Sequence, residues 1–171
     1  LVKLDMSTNA LWVEGVKQLA QALKENNKMT ELNLSNTVMT YDGSKYGDMS
    51  GVGALANTIS TMGALEKLLM GGNMFEGTEA GKALGDAIAV NTMLKELDLS
   101  GTTTLFGINP GCDVAFLKEF AVGLSANGAI VFVNILNNGI GVEQAQNFVA
   151  ILNAHATLKS LCGNQGNETE L

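Results

Sequence analysis

The sequence predicts an α/β architecture of stacked strand–loop–helix coils, with a parallel sheet on one side and helices on the other. Three observations carry this. First, one pattern, an apolar residue with further apolar residues three and five positions on, starts at Leu1, Met29, Leu65, Leu94 and Ile130, and begins again at Leu158. The spacings are 28, 36, 29, 36 and 28 residues. A recurring period in this range marks a repeat architecture. Second, the inner residues of each copy alternate, which is the period of a strand. Third, each copy is followed by a polar loop and then by apolar residues three and four apart, the spacing of a helix with one buried stripe. A single coil cannot bury that stripe alone, so successive coils must bury theirs against each other.

The elements follow in order. Leu1-x-x-Leu4-x-Met6 is a strand, and Val16, Leu19, Ala20 and Leu23 stripe a helix over Val13–Lys24. Met29-x-x-Leu32-x-Leu34 is the second strand, followed by a long loop from Val38 to Ser50 and a helix over Gly51–Met62. Leu65-x-x-Leu68-x-Met70 precedes a helix over Thr78–Val90. Leu94-x-x-Leu97-x-Leu99 precedes a second long loop, from Thr103 to Asp113, and a helix over Val114–Ala126 striped by Leu117, Phe120, Ala121 and Leu124. Ile130-x-x-Val133-x-Ile135 precedes a helix over Val142–Asn153, and Leu158-x-x-Leu161 begins a sixth strand.

Aligned coils give clean columns. Leu19, Leu55, Leu84, Phe120 and Phe148 share one position, and Leu23, Ile59, Ile88, Leu124 and Leu152 the next. Asn9, Asn73 and Asn138 follow their strands, with Thr37 and Thr102 in the same place in the long coils. An Asn there can bond loop backbone groups that would otherwise be buried unpaired. Asn26, Asn91 and Asn127 follow their helices, where Asn tolerates a left-handed cap; Met62 and His155 hold that column in the other coils. Glu14, Glu79 and Glu143 open helices, where a carboxylate suits the positive end of the dipole.

Segments such as Leu94-Lys95-Glu96-Leu97-Asp98-Leu99-Ser100 and Asn138-Gly139-Ile140-Gly141-Val142-Glu143 resemble the leucine-rich-repeat family, in its ribonuclease-inhibitor-like subclass. The style is similar to the long arrays of protists and algae. The resemblance spans nearly all 171 residues. It implies a horseshoe solenoid with a concave parallel sheet and outer helices, one array over residues 1–171 of about five and a half repeats. It also implies a partner-binding protein. Two departures stand out, since the second and fourth repeats carry Thr for the loop Asn and are eight residues longer than the rest. The chain begins on a strand residue and ends at Asn167-Glu168-Thr169-Glu170-Leu171, which reads as the approach to another strand. Neither end has a polar capping repeat, so a fragment of a longer array is expected.

Composition narrows the partner. Net charge is −7, and all ten basic residues are Lys. Arg supplies bidentate forks for phosphate and is the usual guanine reader, so nucleic acid is not expected as a partner, nor is an anionic membrane surface. No apolar run approaches the ~18 residues of a membrane span. The two cysteines, Cys112 and Cys162, lie in different repeats and read as free thiols, which points to an intracellular, cytoplasmic setting. The triplet Asn167-Glu168-Thr169 is a glycosylation sequon, and such triplets arise by chance. His155 is the sole histidine, no Cys or carboxylate set has metal-ligand spacing, and no nucleophile or phosphate-loop motif occurs. No cofactor, metal or catalytic residue is expected.

Three candidate surfaces remain. The long loops hold Tyr41, Tyr46, Leu105, Phe106 and Ile108, and leave the same edge of the sheet. On the concave face, the residue before each middle apolar position reads Lys3, Glu31, Lys67, Glu96, Phe132, Ser160, so the first four are expected to form a Lys–Glu ladder. Phe132 and Leu136, flanked by Val131, break that polar pattern, and Leu69 breaks the next column; together they suggest an apolar docking patch. Trp12 stands where the fifth repeat has Gly141, so its ring is expected to be partly exposed. The chain thus reads as a protein–protein interaction or scaffold module using its concave sheet and long loops. A regulator of a small GTPase and a structural subunit of a large assembly are the alternatives, the former without an arginine finger of its own.

Overall fold

A computed structural model describes residues 1–101 and 111–161. Leu105, Phe106 and Ile108, with Thr102, Cys162 and the Asn167 triplet, lie outside the described residues. The strands β1 (Lys3–Asp5), β2 (Glu31–Asn33), β3 (Lys67–Leu69), β4 (Glu96–Asp98), β5 (Phe132–Asn134) and β6 (Ser160–Leu161) pair in chain order, all parallel. Between them run α1 (Trp12–Leu23), α2 (Ser50–Ile59), α3 (Thr78–Val90), α4 (Val114–Ala126) and α5 (Val142–Ala154). The register is unshifted: Leu4, Leu32, Leu68, Leu97, Val133 and Leu161 align across the sheet. From β2 onward these central residues are buried. They meet the helix stripes, among them Leu55, Leu84, Phe120 and Phe148, in one continuous core.

The strands are three residues long or fewer, too short to hold the coils together by their ladders alone. Asparagines at the two bends do the rest. After β3, Asn73 Nδ2 donates to Leu34 O of the preceding coil and Met70 O of its own, at 2.8 and 2.9 Å. Asn138 repeats this with Leu99 O and Ile135 O, at 3.0 and 2.9 Å. Thr37 keeps the local half of the bond, its hydroxyl donating to Leu34 O at 2.8 Å.

The helix-end column departs from expectation. Asn91 and Asn127 have extended backbone, with φ of −79° and −72°, so neither is a left-handed cap. Their side chains carry the function instead. Asn91 Nδ2 donates to Ile59 O of the preceding coil at 3.0 Å, while its Oδ1 accepts from Leu94 N at 2.9 Å. Asn127 does the same with Ile88 O and Ile130 N, both at 2.7 Å. His155 takes this place in the last coil. Its Nε2 meets Leu124 O at 3.2 Å and its Nδ1 meets Leu158 N at 3.0 Å. A carbonyl can only accept and an amide N–H only donate, so the ring proton sits on Nε2. The lone histidine is an asparagine in this role.

Helix boundaries follow the predicted ones except at α2, which ends at Ile59 rather than Met62. The hydroxyls of Ser60 and Thr61 donate back to Asn57 O and Thr58 O, and the next amides bond three residues back, tightening the chain out of the α-helix. Helices α3 and α4 approach closely through glycines. A Cβ on Gly81 would collide with the Phe116 carbonyl, and one on Gly123 with the Gly85 backbone. Phe116 stacks between Phe75 and Phe120, with ring centroids 5.3 and 6.3 Å away.

Leu97→Ala empties a site with coils on both sides and is expected to lower stability by about 2–5 kcal/mol in denaturant unfolding. Leu1→Ala, at a side chain 68% exposed, should leave the midpoint nearly unchanged. Equal shifts for the two would contradict coil stacking as the source of stability. At the last coil, His155→Asn should melt with the parent, and His155→Ala should lose about 1–2 kcal/mol, because it strands the Leu158 N–H and the Leu124 carbonyl. Equal loss for both variants would refute the asparagine-like role.

Candidate partner-binding surface

The face of the sheet opposite the helices is set by alternation. In β2 to β5 the middle residue is buried and its two neighbours are half-open. In the first open row, Lys3 pairs with Glu31 at 2.9 Å and Lys67 with Glu96 at 2.7 Å. The expected ladder therefore closes as two separate pairs, with no bridge between Glu31 and Lys67 among the described residues. Such exposed pairs contribute ~0–1 kcal/mol each and mainly balance charge.

The second open row has a local job that sequence reading missed. Asp5, Asn33, Asp98 and Asn134 each accept the backbone N–H two residues on, from Ser7, Ser35, Ser100 and Leu136, at 2.8–3.1 Å. These side chains close the turn that ends each strand. The signal was present as Asp or Asn two residues before a Ser in three of the coils. The bond to the Ser7 hydroxyl, with that to its N–H, holds the Asp5 carboxyl below its ordinary pKa. Leu69 replaces the Asx residue in the third coil. Its companion is Gly71, where any Cβ would press on Ser100 Oγ at 2.8 Å.

The structure places the predicted apolar patch as follows. Phe132 lies between Glu96 and Ser160 in register. Val131 sits one residue earlier, its carbonyl accepting from Lys159 and Ser160. Leu136 lies past the strand, its N–H held by Asn134 and its carbonyl accepting from Gly101. All three are half-buried. Leu69 does not join them. It stands between Asn33 and Asp98, and Glu96 and Asp98 of β4 separate it from Phe132.

The loop edge carries the more exposed rings. Residues 38–49 fold back on the first coil. Met39 and Thr40 are buried, and the Tyr41 carbonyl accepts from Val13 N at 3.0 Å. An antiparallel bridge joins Tyr41 to Tyr46. Asp42 closes the tip between them, its Oδ1 accepting from Ser44 N, Ser44 Oγ and Lys45 N at 2.8, 2.7 and 3.0 Å. These bonds, that from the Ser44 hydroxyl foremost, hold its carboxyl well below its ordinary 3.8, at about 2. Trp12 stands edge-on to Tyr41 with ring centroids 6.0 Å apart, and Tyr41 lies 5.0 Å from Tyr46. Trp12 is 47% and Tyr46 40% exposed. Trp12 has φ of +57°, a left-handed backbone that is uncommon for a non-glycine residue.

The base of the second long loop leans on the preceding coil in the same way. Phe75 and Cys112 form a parallel bridge, and Asp113 caps α4 by accepting from Phe116 N at 2.6 Å. Between the end of the first long loop and the start of α3 a shallow groove of about 690 Å³ runs past Asp48, Met49, Gly77, Glu79 and Ala83. The Cys112 thiol is buried, and burial pushes its pKa far up, so it is not poised as a nucleophile. Among the described residues no group of three or more His, Cys, Asp or Glu is arranged to hold a metal ion, and no helix is long and apolar enough to cross a membrane.

No family model and no curated protein matches the chain. Solved structures do. The C-terminal domain of tropomodulin from Caenorhabditis elegans superposes with a TM-score of 0.65 at 15% identity, over 90% of this chain and 83% of that one. Leiomodin-1 actin-binding site 2 gives a TM-score of 0.65 at 15% identity, over 90% of this chain and 79% of that one. At this identity the likeness is one of fold, an α/β repeat with a parallel sheet backed by helices.

The Asp42 carboxyl offers a direct check on the loop tip. Its folded pKa is depressed, so it favours the folded loop at pH above the ordinary value of 3.8, and that contribution is lost as pH falls through about 2. A carboxyl-carbon NMR titration should find its midpoint near 2 in the parent. Ser44→Ala should move that midpoint upward. An unmoved midpoint would mean that the Ser44 hydroxyl does not hold the carboxylate.

Proposed function

We propose that this chain is a protein-binding module that presents a rigid sheet face, bordered by the loop edge, to a macromolecular partner. The observation that supports it best is the open face itself. Six parallel strands in unshifted register carry outward side chains at fixed spacing, and no helix of the described residues covers that side. Strands repeat every ~4.8 Å while packed helices need ~8–10 Å. Stacked coils of this kind curve toward the sheet, which supports the horseshoe form and the ribonuclease-inhibitor-like reading. Phe132, Leu136 and Val131 would form the apolar centre, with the charged pairs of the earlier coils and the loop aromatics as rim. Leu69 would contact a partner only as a separate point.

The fold is shared with a region of leiomodin-1 named as an actin-binding site, so actin is the first partner to test. A role as scaffold or assembly subunit, in the cytoplasm, is compatible with this reading. Nothing in the site geometry favours a GTPase regulator.

Co-sedimentation of the chain with actin filaments, and affinity capture with monomeric actin, test the proposal. Binding that Phe132→Ser weakens at least about tenfold, with the melting temperature within a few degrees of the parent, would support it. If Phe132→Ser unfolds the chain, Phe132 is core and the sheet-face centre is wrong. If neither form of actin is retained at any concentration tested, actin is excluded as the partner.

A further inference from the structure

We infer that the Trp12–Tyr41–Tyr46 cluster on the loop edge docks a proline-rich, extended segment bearing a basic residue. This rests on the reading of the chain as a protein-binding module and names the chemistry of one ligand for it.

The cluster is built rather than incidental. Trp12 belongs to the first turn of α1, while both tyrosines belong to a loop thirty residues on. They are brought together by Val13 N–H donating to Tyr41 O, by the Tyr41–Tyr46 bridge, and by Asp42 N–H donating to Lys45 O at 3.1 Å. The rings are therefore held in place before any ligand arrives, which lowers the ordering cost of binding. Yet the outer two are not used to fill the core. Trp12 and Tyr46 keep nearly half of their surface in solvent, while Met39 of the same loop is fully buried. Core packing does not require an exposed Trp here.

Three features of the cluster match one kind of ligand. The rings meet at 75° and 49°, not flat on each other, so the cluster turns both faces and edges outward. Proline rings pack on aromatic surfaces of this kind. The indole N–H and the phenol O–H groups make no hydrogen bond to the described residues, so they remain available as donors. A polyproline helix has no internal hydrogen bonds and presents its carbonyls outward, so it needs donors of this kind. Finally, the rim holds three carboxylates, Asp42, Asp48 and Glu76 beside Gly47, against two ammonium groups, Lys45 and Lys17. Asp42 Oδ1 is occupied by the turn and Asp48 Oδ1 by Ser50, but the second oxygen of each makes no bond to the described residues. Hydrogen bonds from Ser44 and from Ser50 depress the two carboxyls respectively, so both are ionised at neutral pH. With a net charge of −7, the chain would draw a Lys- or Arg-bearing segment to this edge.

Trp12 is the only tryptophan, so its fluorescence reports on this site alone. The test is a titration of the full chain with a synthetic Lys-flanked peptide of alternating and paired prolines. Two control peptides have the prolines replaced by Ala or the Lys by Glu. Saturable quenching or blue shift is expected for the first. Binding about tenfold or more weaker is expected for the Ala peptide, and weaker binding with less salt dependence for the Glu peptide. Tyr46→Ala should lose peptide binding while retaining the parent's melting temperature. Should Tyr46→Ala fail to fold, Tyr46→Phe keeps the ring, removes one donor and should bind a few-fold more weakly. Equal binding of the proline and Ala peptides, or no change with either Tyr46 variant, would overturn the inference. Loss of peptide binding with actin capture intact would sink this site alone. Peptide binding without actin capture would leave it standing and move the search to proline-rich partners.

Discussion

Among the described residues the coils bend twice, once after the strand and once after the helix. At both, backbone carbonyls and amides are buried where neither sheet nor helix can pair them. Leaving them unpaired costs more than any single apolar contact returns. The side chains that answer this constraint are Asn73, Asn138 and Thr37 at one bend, and Asn91, Asn127 and His155 at the other. Except for Thr37, whose bond is within its own coil, each reaches a carbonyl of the preceding coil. Satisfying the bend and stacking the coils are therefore the same event. The short ladders and the leucine core act on a framework that these amide bonds have already aligned.

That arrangement explains why the candidate surfaces lie where they do. The helix side is crowded, with glycines at Gly81, Gly85 and Gly123 drawing α3 and α4 together. The bends are occupied by their own hydrogen bonds. What remains open is the outward row of the sheet and the edge from which the long loops leave. On the sheet, much of the polarity is already spoken for by strand-ending turns and by two ion pairs, which leaves Phe132 and its neighbours as the unexplained apolar feature. On the edge, the first long loop buries Met39 and lifts Tyr41 and Tyr46 beside Trp12.

The strands and helices were legible in the sequence because their two periods act residue by residue and need no knowledge of neighbours. The loop Asn column was legible for the same reason. Other features depend on geometry that spacing does not encode. An Asp at the end of a strand looks equally like a surface charge and a turn-closing acceptor, so spacing puts Asp5 and Asp98 on the open face without revealing their bonds. The helix-end Asn residues were expected as left-handed caps because propensity describes one residue, whereas Asn91 and Asn127 respond to a carbonyl a full coil away. Leu69 and Phe132 are both apolar on the same face, but only the register shows two acidic residues between them. The pairing of Tyr41 with Tyr46 arises from a turn inside a loop, where no periodicity exists to be read.

Short and long coils alternate along the chain, and so does the sign of the charge on the open row, with Lys3 and Lys67 on short coils and Glu31 and Glu96 on long ones. The structural unit is thus a pair of coils, joined internally by its ion pair. This bears on how such an array can change length. Loss of the second or third coil alone would set Lys3 against Lys67 or Glu31 against Glu96 on adjacent strands, which is unfavourable for residues directly opposite. Loss of the third would also put two long loops side by side where each now leans on a short neighbour. Duplication or deletion of a whole pair preserves both patterns. Selection on this protein should therefore tolerate recombination in double steps and reject it in single ones, so that the coil pair, rather than the repeat, is its heritable building block.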